Sequence, residues 1–156
     1  IHWFQENVSG TPVIAEASIG PYRGNGSRFS IALGLPTVLG WDRHERQQRY
    51  YPEIAQRDAD VRELYDSPSV DRKRAIIDEY GIDFVIVGEL ERFSGNPSSP
   101  ATPYASAEGI AAFDSMVGAD LEVAFSSNGT TVYRVVRSSA DSPSDRTDSI
   151  SGDDDV

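Results

Sequence analysis

SPSVDRKRAIIDEYGIDFVIVGEL, residues 67–90, holds a helix, its stop signal and a strand in one run. Val70, Ile77 and Tyr80, with Ile76 adjacent, recur at the spacing of one helix face. Ser67 or Ser69 can cap the unpaired amides of the first turn, and Asp71 sits where the helix dipole favours negative charge. Gly81 supplies the left-handed residue that ends the helix. IDFVIVGEL follows at once, nearly all apolar and β-branched, as in a strand buried on both faces. A helix that passes its chain straight into such a strand is half a turn of an α/β fold.

Working outward, TPVIAEAS (11–18) reads as a short buried strand around Val13 and Ile14, and PTVLGW (36–41) as a second one. From Arg43 the composition is helical and charged as far as DADVRELYD, where Val61, Leu64 and Tyr65 have helix spacing. Ser106 can cap a helix AEGIAAFDSMVG that Gly118 closes. In LEVAFSSNGTTVYRVVR, Asn128-Gly129 is a type I′ hairpin signal between alternating Leu121, Val123, Phe125 and Val132, Val135. The expected fold is therefore α/β over residues 11–137. It has a mostly parallel central sheet flanked by helices and a C-terminal antiparallel β-hairpin at the edge. Residues 138–156, polar, acidic and without periodicity, are expected to be a disordered tail. Residues 1–10 lack an initiator methionine and are expected to link to sequence upstream in a longer polypeptide.

The chain carries 25 acids against 14 bases, a formal net charge of -11, and no cysteine. Lys73 is its one lysine. An Asp-rich, Lys-poor surface suits a halophilic protein, because dense carboxylates hold water and counterions where salt screens everything else. A high-GC genome that favours Arg over Lys accounts for part of the same pattern. No basic stripe offsets the negative charge, so nucleic acid is not an expected partner. Without cysteine there are no disulfides, thiolate metal sites or cysteine nucleophiles.

In α/β sheets ligands lie beyond the carboxyl ends of the strands. That directs attention to the loops at 19–30, 41–49 and 88–104. His44-Glu45 begins like a zinc-peptidase helix, but Gln48 stands where the second histidine is required. No metal site and no cofactor are expected. Glu45 and Arg49 would pair at i,i+4, giving either a solvated helix start or a polar pocket with Trp41 and His44. An indole beside planar hydrogen-bonding groups suits a sugar ring. Glu16, a carboxylate at a strand end, is expected to pair with Arg23 or Arg28 or to serve a site. Tyr22 and Arg23 in the glycine-rich loop join this candidate surface. That loop lacks the Gly-Lys-Ser/Thr of a phosphate cradle, and no G-x-S-x-G elbow is present. Asn7, Asn25 and Asn128 each open an N-x-S/T sequon and could carry glycan if the domain is extracytoplasmic.

TPVIAEASIGPYRGNGSRFSIALGLPTVLGWDRHERQQR, DEYGIDFVIVGELER and FDSMVGADLEVAFSSNGTTVYRVV together resemble the C-terminal soluble part of the archaeal and Chloroflexi YYY membrane proteins. The similarity spans about residues 11–136, and GLPTVLGW with the following HE and Arg is its most specific piece. Gln47 and Gln48 stand where that family's pattern carries a further tryptophan. Its members have many transmembrane helices before this domain and resemble GT-C glycosyltransferases, which use polyprenyl-linked sugar donors. The resemblance implies a membrane-anchored parent and an extracytoplasmic accessory domain, non-catalytic alone, that positions a glycan acceptor. Its partners would be the transmembrane region of the same polypeptide and a glycan or lipid-linked sugar. It implies no catalytic residue here, and a candidate surface of Trp41, His44, Glu45 and Arg49, with Glu16. A structural or interaction domain packed on the transmembrane part or on a protein partner is the alternative. A carboxylate-dependent hydrolase built on Glu16 and Glu45 is the third reading.

Overall fold

The computed structural model describes residues 1–19, 26–93 and 104–137. The loop residues Tyr22, Arg23 and Asn25, residues 94–103 of the 88–104 loop and the expected tail at 138–156 lie outside the described residues. The helix–glycine–strand run folds as its sequence dictates. Helix α5 (Val70–Tyr80, numbered in chain order) starts on Ser69, whose hydroxyl accepts from the Arg72 amide, and stops at Gly81 with φ 60°. Strand β2 (Ile82–Val87) follows directly.

The element order is α1 (His2–Asn7), β1 (Val13–Ala15), α2 (Arg28–Leu33), α3 (Asp42–Gln48), α4 (Tyr51–Asp66), α5, β2, α6 (Glu89–Phe93), α7 (Ala107–Ser115), β3 (Leu121–Ser127) and β4 (Thr130–Val135). Among the described residues the strands form one sheet in the order β1-β2-β4-β3. β1 lies parallel to β2, and an isolated bridge sets Thr37 parallel to Ile14 on the far side of β1. β4 pairs antiparallel with β2, and β3 pairs antiparallel with β4. The hairpin thus occupies the sheet edge, with its second strand inward. Burial explains that order: β4 carries Val132 and Tyr133, both buried, whereas Glu122 and Val123 of β3 are exposed and go to the rim. The hairpin closes on Asn128 (φ 48°) and Gly129 (φ 74°), the paired left-handed residues of a type I′ turn.

Both faces of the sheet are covered. Ile82, Val85 and Val87 of β2 point into one core, with Ile54, Leu64, Tyr65, Ile76 and Phe113 from α4, α5 and α7. Phe84 and Ile86 point into a second core, with Phe4 of α1, Phe29 of α2 and Val132. From Phe84 to Val87 the side chains alternate between the two cores, which makes this part of β2 read as uniformly apolar, whereas Ile82 lies beyond the register shift against β1 and outside that alternation.

Two segments differ from the sequence expectation. Residues 2–7, expected to be linker, are helix α1, because Phe4 seats edge-on against Phe29 and Phe84 in the second core. The stretch 36–41 makes the single bridge at Thr37 instead of a strand. Arg57 of α4 takes the Val38 carbonyl at 3.1 Å in place of a ladder partner.

Lys73 is fully buried one turn from Val70 and Ile77 on the apolar stripe of α5. Its ammonium donates to the Leu64 carbonyl and sits 3.7 Å from the centroid of the Phe113 ring. Burial pushes its pKa down to about 8, with Asp66 pulling the other way. A lysine whose pKa is lower in the folded than in the unfolded chain leaves the unfolded chain holding more protons, so stability rises as pH climbs through that interval. Denaturant melts between pH 8 and 10 are expected to show this rise in the wild type, and Lys73→Met to flatten it. A slope unchanged by the substitution would refute the assignment.

Candidate functional site

The carboxyl ends of β1 and β2 open onto a buried polar cluster. Glu16, the first residue after β1, is 1% exposed. Its two oxygens accept from the Phe29 amide at 2.9 Å and the Ser30 amide at 2.8 Å, so it closes the first turn of α2 from a distance. Burial raises its pKa, while those two amides and the nearby Arg28 pull it down. Of the two arginines expected to pair with it, Arg23 lies outside the described residues and Arg28 turns to another carboxylate. Arg28 points both terminal nitrogens at Glu91, at 3.2 and 3.0 Å.

Glu91 is a residue that sequence reasoning missed. It is fully buried and also accepts from the amides of Ala17 (3.0 Å) and Gly88 (2.8 Å). One carboxylate therefore joins the ends of the two parallel strands to α2. A local signal for it existed, since Glu91 stands three residues after Gly88 and reaches back to that amide, as the acid of a capping box does. Glycine at 88 keeps the space open: a Cβ there would lie 2.8 Å from Arg28 Nη2.

The 41–49 segment is fastened to this cluster through Gly40. The Ser18 hydroxyl donates to the Gly40 carbonyl at 3.2 Å, and the Gly40 amide donates to Glu45 Oε1 at 2.8 Å. Trp41, half-buried, is the residue before α3. Glu45 also meets Arg49 at 3.5 Å, the i,i+4 pair its spacing predicts. His44 is exposed, as is Arg49 with 63% of its side chain accessible. Arg46 reaches Asp58 at 3.5 Å and lies over the Tyr51 ring at 5.1 Å. Tyr50 and Tyr51, exposed at the α3–α4 junction, extend the surface beyond the residues read from sequence. The short segment 41–51 thus presents Trp41, His44, Arg49, Tyr50 and Tyr51 at or near the surface.

The structure separates the predicted residues by role. Glu16 and Glu45 are engaged by backbone amides, so the two carboxylates of the hydrolase reading hold loops together. An open cleft with a free carboxylate pair is what that chemistry requires, and the 1% exposure of Glu16 is incompatible with it. Trp41 is half-buried before α3, and His44 and Arg49 are exposed. A groove of about 740 Å³ lies far along the chain, between the end of α5 and the ends of β2 and β4. Four of its charged side chains pair with one another, Arg74 with Asp120 at 2.8 and 2.9 Å and Arg137 with Asp83. None of the sequence-predicted site residues lines it. Among the described residues no group of three or more His, Asp or Glu is placed to hold a metal ion, and no helix is long and apolar enough to cross a membrane.

No protein-family model and no curated protein matches the chain. A solved structure does: the C-terminal globular domain of oligosaccharyltransferase from Archaeoglobus fulgidus, at 8% identity and a TM-score of 0.52. The match covers 86% of this chain and 93% of that one. The two share a fold, which in this chain is an α/β domain whose mixed sheet is flanked by helices and edged by a hairpin.

Proposed function

We propose that this chain is an accessory domain of a polytopic GT-C-type membrane glycosyltransferase. It is held on the extracytoplasmic face of the membrane and is not catalytic by itself. The observation that carries this reading is the fold likeness to the globular domain of an oligosaccharyltransferase over nearly the whole of both chains. The local chemistry is in keeping with it, since Glu16, Glu45 and Glu91 are all bound to backbone amides and act as scaffold. The surface offered to the acceptor glycan or to the membrane-borne part is the Trp41–Tyr51 strip. There the half-buried indole and the exposed Tyr50 and Tyr51 provide ring faces, and His44 and Arg49 provide hydrogen bonds. Tyr50 at 70% and Tyr51 at 56% exposure also favour the second reading, a contact with a protein partner, because tyrosines anchor such surfaces.

The absence of cysteine makes the location testable. In the full-length protein, Ala75→Cys places one thiol on the exposed side of α5 within this cysteine-free domain. A membrane-impermeant maleimide is expected to label that thiol in intact cells. Labelling seen only after lysis would contradict the extracytoplasmic placement.

A further inference from the structure

Asn128-Gly129-Thr130 lies at the tip of the β3–β4 hairpin, where Asn128 is exposed. Asn128 also forms part of the wall of an apolar cleft of about 200 Å³, whose other walls include Trp3, Phe4, Phe29 and Phe125. The rings of Trp3 and Phe125 stand 5.7 Å apart at 35°, and Ser127 and Thr130 line the same cleft. The sequon at Asn7 is placed differently. Its amide nitrogen is engaged by the Trp3 carbonyl at 2.8 Å, at the last position of α1, and it faces a separate and more polar groove. Of these two sequons, the one at Asn128 combines an exposed acceptor with an aromatic cleft beside it.

We propose that Asn128 is a glycan attachment site and that the adjoining Trp3–Phe125 cleft seats the first sugar of the attached chain. The co-reactant is an oligosaccharide carried on a lipid phosphate. Asn128 Nδ2 forms a bond to the anomeric carbon of its first sugar as that carbon's bond to the phosphate oxygen breaks. The phosphate leaves with the electron pair, and an amide proton passes to a base of the transferase or to water. The C–H face of the pyranose then lies on ring surface that water covers poorly. Its hydroxyls stay at the rim with Ser127 and Thr130. This inference rests on the extracytoplasmic placement proposed above, because a lipid-linked donor must reach the hairpin.

The test uses full-length protein purified from its native cells. Cleavage after arginine and lysine releases residues 93–134, in which Asn128-Gly129-Thr130 is the single sequon. Mass spectrometry is expected to find that peptide carrying glycan. Thr130→Ala should remove the glycan without altering the left-handed turn residues, and Thr130→Ser should keep it. An unmodified 93–134 peptide, from a chain that impermeant maleimide labels at Ala75→Cys in intact cells, overturns the attachment site and leaves the placement standing. A chain that the label does not reach overturns both. For the seating, ring protons of the first sugar are expected upfield of their positions in the released glycopeptide. Identical shifts in the two would overturn it.

Discussion

Gly109→Ala should lower the melting temperature by roughly 6 °C, although alanine is by itself the better helix former. Gly109 lies in the first turn of α7, where that helix meets the end of α4. A Cβ there would sit 2.0 Å from the Tyr65 carbonyl oxygen and 2.9 Å from the Asp66 carbonyl, and these are backbone atoms that cannot swing aside. Ser106 locks the same junction, donating to the Asp66 carbonyl at 2.7 Å while accepting from the Gly109 amide at 2.8 Å. The propensity gain of alanine over glycine is about 1 kcal/mol. Forcing two packed elements apart costs on the order of 3 kcal/mol, so the clash wins. At a few degrees per kcal/mol for a domain of this size, the shift is readily measured by calorimetry. An unchanged or higher melting temperature would mean that α7 does not dock on α4 in this way.

Glu91→Ala is expected to be as damaging, for a different reason. Removing the carboxylate leaves the amides of Ala17 and Gly88 buried without a partner and strips Arg28 of its bidentate acceptor. Breaking a buried charge pair costs about 3–5 kcal/mol. Arg28 keeps 25% of its side chain in contact with solvent and recovers some hydration, which puts the expected loss near the lower figure, about 3 kcal/mol. Glu91→Gln retains one acceptor oxygen and should fall between wild type and alanine. Urea unfolding reads this as a lower midpoint at constant slope. Equal stability of wild type and alanine variant would remove Glu91 from the centre of the strand-end cluster.

What the sequence discloses follows from the range of the interactions. Helix α5, its Ser69 cap, the Gly81 stop, the buried strand β2 and the Asn128-Gly129 turn are all set by neighbours within a few residues, so periodicity and capping rules reach them. The Glu45–Arg49 pair is legible for the same reason. Helix α1 is six residues long and gains its stability from Phe4 docking on Phe29 and Phe84, which no local pattern announces. The place of β4 between β2 and β3 depends on which hairpin strand can be buried on both faces. Glu91 gathers Ala17 and Arg28 from 74 and 63 residues away. Glu16 stands at a strand end as its sequence position suggests, and the Phe29 and Ser30 amides that it accepts from are backbone groups, which side-chain identity does not reveal. Within the candidate segment 41–49 the fold sorts residues that the sequence sets side by side. Glu45 turned inward to hold Gly40, whereas His44, Arg49 and the adjoining tyrosines stayed open to solvent.

The accessory role is tested most directly by glycan transfer in membranes containing the full-length protein, wild type against Trp41→Ala combined with Arg49→Ala. Both residues lie at the surface strip and outside the two apolar cores, so the domain should stay folded, as circular dichroism and thermal melting of the isolated chain can confirm. The account predicts a several-fold loss of transfer to the acceptor with the donor lipid still bound. Transfer undiminished in the double variant, with the domain folded, would contradict it.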